Sequence, residues 1–217
     1  MVFKDRFDAG RFLAEKLAHY RQQPNLLVLG LPRGGVPVAF VVAEALDAPL
    51  DVFLVRKIGL PGHEEMAIGA VADGGVMVLH DDVIDRREIS RSVIRQIAHR
   101  EQQEIDRQDQ LFRQGCAAPV VAGQTVILVD DGLATGATMR AAVTALRSQQ
   151  PARLVVAVPV GAPETCAEFS HEVDEVICAT RPEDFRAVGV WYRDFAPTPD
   201  EMVVSLLATA SARVLSH

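Results

Sequence analysis

The feature that most narrows the fold is a set of short, apolar-rich runs that recur along the chain. Each ends in a turn, and most are followed by a helix-compatible segment. The runs are "NLLVLGL" (25–31), "LDVFLVRKIG" (50–59), "QTVILVD" (124–130), "RLVVAVPVG" (153–161) and "HEVDEVICAT" (171–180). Runs that lack polar alternation read as strands buried on both faces. Between them lie helical patterns. Residues 8–22 place Phe12, Leu13 and Leu17 on one face with Asp8 as a cap, residues 36–48 tolerate Pro37 in the first turn, and 138–149 and 163–170 follow their strands. A last helix over 198–210 opens on Thr198, Pro199 and Glu201, a capping-box pattern. Strands alternating with helices predict an α/β fold, a parallel sheet of about five strands with helices on both faces. In such sheets ligands bind beyond the C-terminal strand ends, which here are "LPRGG", "VRKIG", "VDDGLATGAT" and "PVGAP".

Composition bounds the rest. The 217 residues are 49% hydrophobic, which suits a single domain over 1–217 that buries roughly 70% of its unfolded surface. A net charge of −7 without a basic block argues against nucleic acid or a membrane surface as partner. No apolar run approaches the roughly 20 residues of a membrane span, and the charged, amphipathic first twenty residues do not resemble a signal peptide. Cys116, Cys166 and Cys178 are odd in number and widely spaced, without a zinc pattern, as in a reducing compartment. A cytoplasmic protein is the expectation. Residues 87–115 read as one long charged helix whose stripe of Ile89, Val93, Ile97 and Ile105 is interrupted by Glu101. That reads as a partly exposed helix held by Glu/Arg pairs, and its stripe is compatible with a homodimer.

The stretch "VILVDDGLATGATM" (126–139) carries the chemistry. Asp130 and Asp131 stand where a strand leaves the sheet. Gly132 and Gly136 allow close backbone approach, and Ala134, Thr135, Gly136, Ala137 and Thr138 lead into a helix. Backbone N–H groups at a helix start, with threonine hydroxyls, suit a phosphate monoester. Two carboxylates cannot bind that phosphate; they suit sugar hydroxyls or, through water, a Mg²⁺ shell. A phosphate joined to a polyol, such as a ribose 5-phosphate, satisfies both. A Walker A loop is excluded because Ala137 stands where Lys is required, and the Gly132-to-Gly136 spacing does not fit the dinucleotide fingerprint.

"VILVDDGLATGAT" resembles the 5-phosphoribosyl 1-diphosphate (PRPP) motif of type I phosphoribosyltransferases. The resemblance implies that Asp130 and Asp131 face the ribose hydroxyls and that Ala134 to Thr138 cradle the 5-phosphate. "LPRGG" is similar to the family's diphosphate loop, with Arg33, Gly34 and Gly35 holding the leaving group, and Arg56 and Lys57 of "VRK" near the same rim. It further implies displacement at ribose C1. A nitrogenous base attacks and diphosphate leaves, with Mg²⁺, Arg33 and Lys57 serving the diphosphate and Asp130 and Asp131 orienting the ribose. Residues 60–120 would contribute a small lid or flap subdomain, with Glu65 as a lid residue, and 185–217 a hood. There Trp191 or Tyr192 would either stack on the base or pack in the hood core, and Asp194 could read a base edge. Ala134 departs from the 6-oxopurine enzymes, which carry an acid there, whereas "RGGVPVA" is similar to xanthine-guanine enzymes; the accepting base stays open. So does a non-catalytic PRPP- or nucleotide-binding regulator on the same fold.

Overall fold

The computed structural model describes residues 1–60, 63–79, 84, 87 and 89–214, with the backbone alone described for 63–66 and 214. Helices are α1 (Arg6–Lys16), α2 (Gly35–Leu46), α3 (Arg91–Arg113), α4 (Ala137–Ser148), α5 (Pro163–Phe169) and α6 (Asp200–Val214). Strands are β1 (Leu26–Gly30), β2 (Leu50–Val52), β3 (Val55–Leu60), β4 (His63–Ala72), β5 (Val76–Leu79), β6 (Thr125–Val129), β7 (Arg153–Val160) and β8 (Glu175–Thr180).

The expected five-stranded parallel sheet is present in the order β2-β1-β6-β7-β8. Every residue of β1 and β6 is buried, which explains why these runs lack polar alternation. Their side chains still divide by pleat. Val28, Ile127 and Val129 point to a core shared with α1, α2 and α6. Leu27, Leu29, Val126 and Leu128 point to the opposite core, filled by Met139, Ala142 and Leu146 of α4 and by Phe169 of α5.

The run 50–59, expected to be one strand, is two. β2 joins the parallel sheet beside β1. The chain then crosses through Phe53, whose N–H donates to the Gly30 carbonyl, and β3 begins a separate antiparallel sheet in the order β3-β4-β5. This sheet and α3 occupy most of the segment expected to carry the lid. Helix α3 starts at Arg91, with the Ser90 hydroxyl accepting from the Ser92 N–H. Its buried face is Ile94, Ala98, Ile105 and Phe112, of which Ile105 belongs to the expected stripe, while Ile89 and Ile97 of that stripe are partly buried against the same core. Val93, Ile97 and Glu101 line a cleft, so the acidic interruption falls on the cleft wall. Helix α1 is capped by Asp5 rather than Asp8, the Asp5 carboxylate accepting from the Asp8 N–H at 2.8 Å. Helix α6 starts two residues later than expected, its first-turn amides of Met202 and Val203 donating to the Pro199 carbonyl.

One buried cation fastens these parts together. Arg113, at the end of α3, donates to Asp51 on β2, to Asp73 in the turn before β5, to Asp109 and to the Val52 carbonyl. Its side chain is 3% exposed. Cys166 and Cys178, remote in sequence, pack together against Gly161, where a Cβ would meet Cys166 Sγ at 2.7 Å and Cys178 Sγ at 3.1 Å.

Candidate active site at the sheet's switch point

β1 and β6 are adjacent strands whose onward connections run in opposite directions, β1 toward β2 and β6 toward β7. Such a reversal opens a crevice at the C-terminal strand ends, the usual ligand position in open α/β sheets. The register pairs Gly30 with Val129, and the Leu31 N–H donates to the Val129 carbonyl at 2.9 Å. "LPRGG" and "DDGLATGAT" therefore leave the sheet side by side.

Their contact is close enough to require glycine. A Cβ on Gly34 would lie 2.1 Å from Asp131 Oδ2, and one on Gly35 would lie 2.7 Å from the Val129 carbonyl oxygen. The Pro32–Arg33 peptide is cis. Arg33 is half-exposed, its nearest charged partner being Asp200 at the start of α6, 3.6 Å away.

Asp130 and Asp131 are half-buried. Asp130 Oδ1 accepts from the Asp131 N–H at 2.8 Å. Burial, reinforced by the neighbouring Asp131 charge, pushes the Asp130 carboxyl well above the ordinary carboxylate range. Burial also raises Asp131, against the opposing pull of Arg6. Arg6 of α1 is the residue that sequence reasoning missed: its Nε donates to Asp131 Oδ2 at 2.8 Å.

The loop after the carboxylates is fixed by its neighbours. Leu133 bridges to Gly161, with its N–H on the Val160 carbonyl and its carbonyl accepting from Ala162. The Thr165 hydroxyl donates to the Ala134 carbonyl at 2.7 Å. Gly136 precedes α4 at φ 72°, and a Cβ there would meet the Phe169 ring at 2.6 Å. Ala134, Thr135 and Thr138 are exposed. The opening N–H groups of α4 have no acceptor within their own helix, and they lie beside this exposed loop.

A cleft of about 680 Å³ opens beside these loops, with Pro32 on one side and Thr138 on another. Arg56 and Lys57 also line it, but from β3 of the small sheet and not from the end of a central strand. Across it stands α3, whose Glu101 accepts from Arg56 Nε at 2.9 Å and lies 3.3 Å from Arg100. The structure thus sets Gly34 and Gly35 directly against Asp131 and Asp130, while the cleft beside them takes Arg56, Lys57 and Thr138 in its lining but not Arg33, Asp130 or Asp131.

Of the two roles expected for Tyr192, stacking on the base or packing in the hood core, the structure shows packing. Tyr192 is buried, packs on Phe3 and Phe195, and donates its hydroxyl to the Asp131 carbonyl at 2.5 Å. Burial, then the Asp131 charge, raises its phenol further. It supports the acidic turn from below. Trp191 packs half-buried against the same cluster. Asp194 is exposed, and its carboxylate accepts from the Ala196 N–H. The Glu65 backbone lies in β4, and its side chain is outside the described residues.

The profile of the phosphoribosyl transferase domain matches residues 3–194. The chain belongs to the phosphoribosyl transferase family. Two Mycobacterium tuberculosis proteins, each carrying a provisional description as a phosphoribosyl transferase, are 44% identical over 209 residues. The match covers 96% of this chain and 47% of theirs, so this phosphoribosyl transferase-family chain spans about half the length of those relatives. The crystal structure of TT1426 from Thermus thermophilus superposes with a TM-score of 0.88 at 42% identity, covering 96% of this chain and 99% of that one. Among the described residues no helix is long and apolar enough to cross a membrane.

Proposed function

We propose that this chain transfers the 5-phosphoribosyl group of PRPP to a nitrogenous base with release of diphosphate. The observation that carries the reading is the meeting, at the sheet's switch point, of a carboxylate pair, a helix-start amide nest and a glycine loop bearing Arg33. These are the three chemistries that a pentose with phosphate at one end and diphosphate at the other demands.

In this reading the 134–138 amides and threonine hydroxyls anchor the 5-phosphate, and Asp130 and Asp131 accept from the ribose 2- and 3-hydroxyls. Arg33 and the amides of Gly34 and Gly35 take the diphosphate, with Arg56 and Lys57 approaching from the small sheet. Holding both ends of the donor fixes C1 for displacement, and cations on the departing diphosphate lower the barrier as its charge develops. The carboxylate pair faces the cation-like sugar carbon. Mg²⁺ would neutralise charge on the diphosphate; the paired carboxylates are suitable oxygen donors through water, with Asp131 Oδ2 already engaged by Arg6. The small sheet and α3 act as a lid that keeps water from C1. The C-terminal segment over 185–217 serves as hood, offering Trp191 and Asp194 to the acceptor.

The test is an acceptor screen. PRPP, Mg²⁺ and a panel of purines, pyrimidines and other heterocycles are incubated with the protein and diphosphate release is followed. Release with one class of base supports the transferase. PRPP binding without release from any acceptor supports a regulator on the same fold.

A further inference from the structure

Asp131 is held from more directions than a ribose ligand on a free loop would be. Arg6 donates Nε to its Oδ2 at 2.8 Å and Nη1 to the Ala196 carbonyl at 2.8 Å. The guanidinium lies 4.1 Å from the centroid of the Phe195 ring. The Arg6 side chain is 12% exposed and that of Asp131 is 15% exposed. The Tyr192 hydroxyl holds the Asp131 carbonyl, and the carboxylate occupies the space that a side chain at position 34 would take. A guanidinium with two oriented bonds and a stacked face fixes direction as well as charge.

We infer that Arg6 is a positioning residue for the sugar site: it pins Asp131 Oδ2 so that Oδ1 alone is presented to a ribose hydroxyl, with Phe195 and Ala196 holding the guanidinium in place. This rests on the proposed function, since it presumes that Asp131 meets the ribose. It assigns α1 and the 192–196 segment, far apart in sequence, a shared task at the donor site. It also separates sugar recognition from diphosphate recognition, because Arg33 pairs with Asp200 and Arg56 with Glu101, whereas Asp131 pairs with Arg6.

The experiment compares wild type, Arg6→Gln and Arg6→Lys by titration calorimetry with ribose 5-phosphate and, separately, with magnesium diphosphate. Steady-state KM for PRPP is measured with whichever acceptor is active. Loss of one charge-assisted anchor predicts ribose 5-phosphate binding about tenfold weaker or more in Arg6→Gln. Diphosphate binding should stay within about twofold, and KM for PRPP should rise more than kcat falls. Arg6→Lys restores charge to Asp131 without the second bond to Ala196, so it should recover part of the affinity. Equal loss of both ligands, or no rescue by lysine, makes Arg6 a general structural residue and overturns the inference. So does unchanged ribose 5-phosphate binding in Arg6→Gln. Wild-type protein that binds neither ribose 5-phosphate nor PRPP overturns the proposed function itself, and the inference with it.

Discussion

Gly34 and Asp131 define the tolerance of this site at the level of single atoms. A methyl group on Gly34 would sit 2.1 Å from Asp131 Oδ2 and 2.8 Å from its Cγ, a distance that no packing adjustment of the methyl itself relieves. Gly34→Ala should therefore displace the carboxylate or the loop, weakening PRPP binding by about tenfold or more while costing about 1–3 kcal/mol of stability. Calorimetry and denaturant melts measured together would check this. Asp130 gives the opposite balance. Its carboxyl is raised by burial and by Asp131, so the folded state holds its proton more tightly than the unfolded chain does. The associated stability is fully present below the unfolded pKa of about 4 and is lost as pH rises through the folded value. Asp130→Asn removes that loss. It should be more stable than wild type at pH 8, with the advantage vanishing near pH 3, and should lose PRPP binding; thermal melts across pH would show the trend. The residues legible in sequence here, Asp130, Asp131 and 134–138, are contiguous. Arg6 lies 125 positions from its partner and Tyr192 lies 61 positions from the carbonyl it holds. No local spacing signals such contacts, and only the fold, which brings α1 and residue 192 to the acidic turn, creates them.

Among the elements, the central parallel strands β1 and β6 were legible because burial on both faces leaves few polar residues to confuse the pattern, and the partly buried edge strand β8 by its short apolar run. The change of sheet between Val52 and Val55 was not legible. Phe53 and Leu54 are buried like their neighbours, so hydrophobicity carries no mark where the chain leaves one sheet for another. That crossing is held by Arg113, whose partners Asp51 and Asp73 sit on either side of it. Both carboxyls are raised by burial and pulled back by this guanidinium. Arg113→Met should destabilise the fold by about 3–5 kcal/mol, because it leaves buried carboxylates without their cation. The deficit should shrink as pH falls and those carboxylates take up protons. Urea melts at pH 7 and pH 4.5 would show whether the gap narrows; an unchanged gap would mean that packing, not charge, holds the junction. Helix α3 carries a similar lesson. Its apolar residues form two stripes, one for the core and one for the cleft wall, and sequence periodicity alone merged them.

Across the whole molecule, one architectural fact organises the chemistry: β1 and β6 are neighbours whose loops emerge level with each other. Residues 31–35 and 130–138 are about a hundred positions apart in the chain, yet share one crevice. The small sheet delivers Arg56 and Lys57 to its rim, and Arg6 and Tyr192 close on Asp131. A protein of net charge −7 can still gather cations where an anionic ligand binds, since surface charge is screened beyond about 8 Å at physiological salt. The measurement that tests this most directly is the affinity of PRPP, with Mg²⁺, for wild type beside Asp131→Asn and Arg33→Ala. The account predicts tight binding by wild type and at least about tenfold weakening in both variants, with Arg33→Ala retaining most of its affinity for ribose 5-phosphate. Equal PRPP affinity in all three proteins would contradict it.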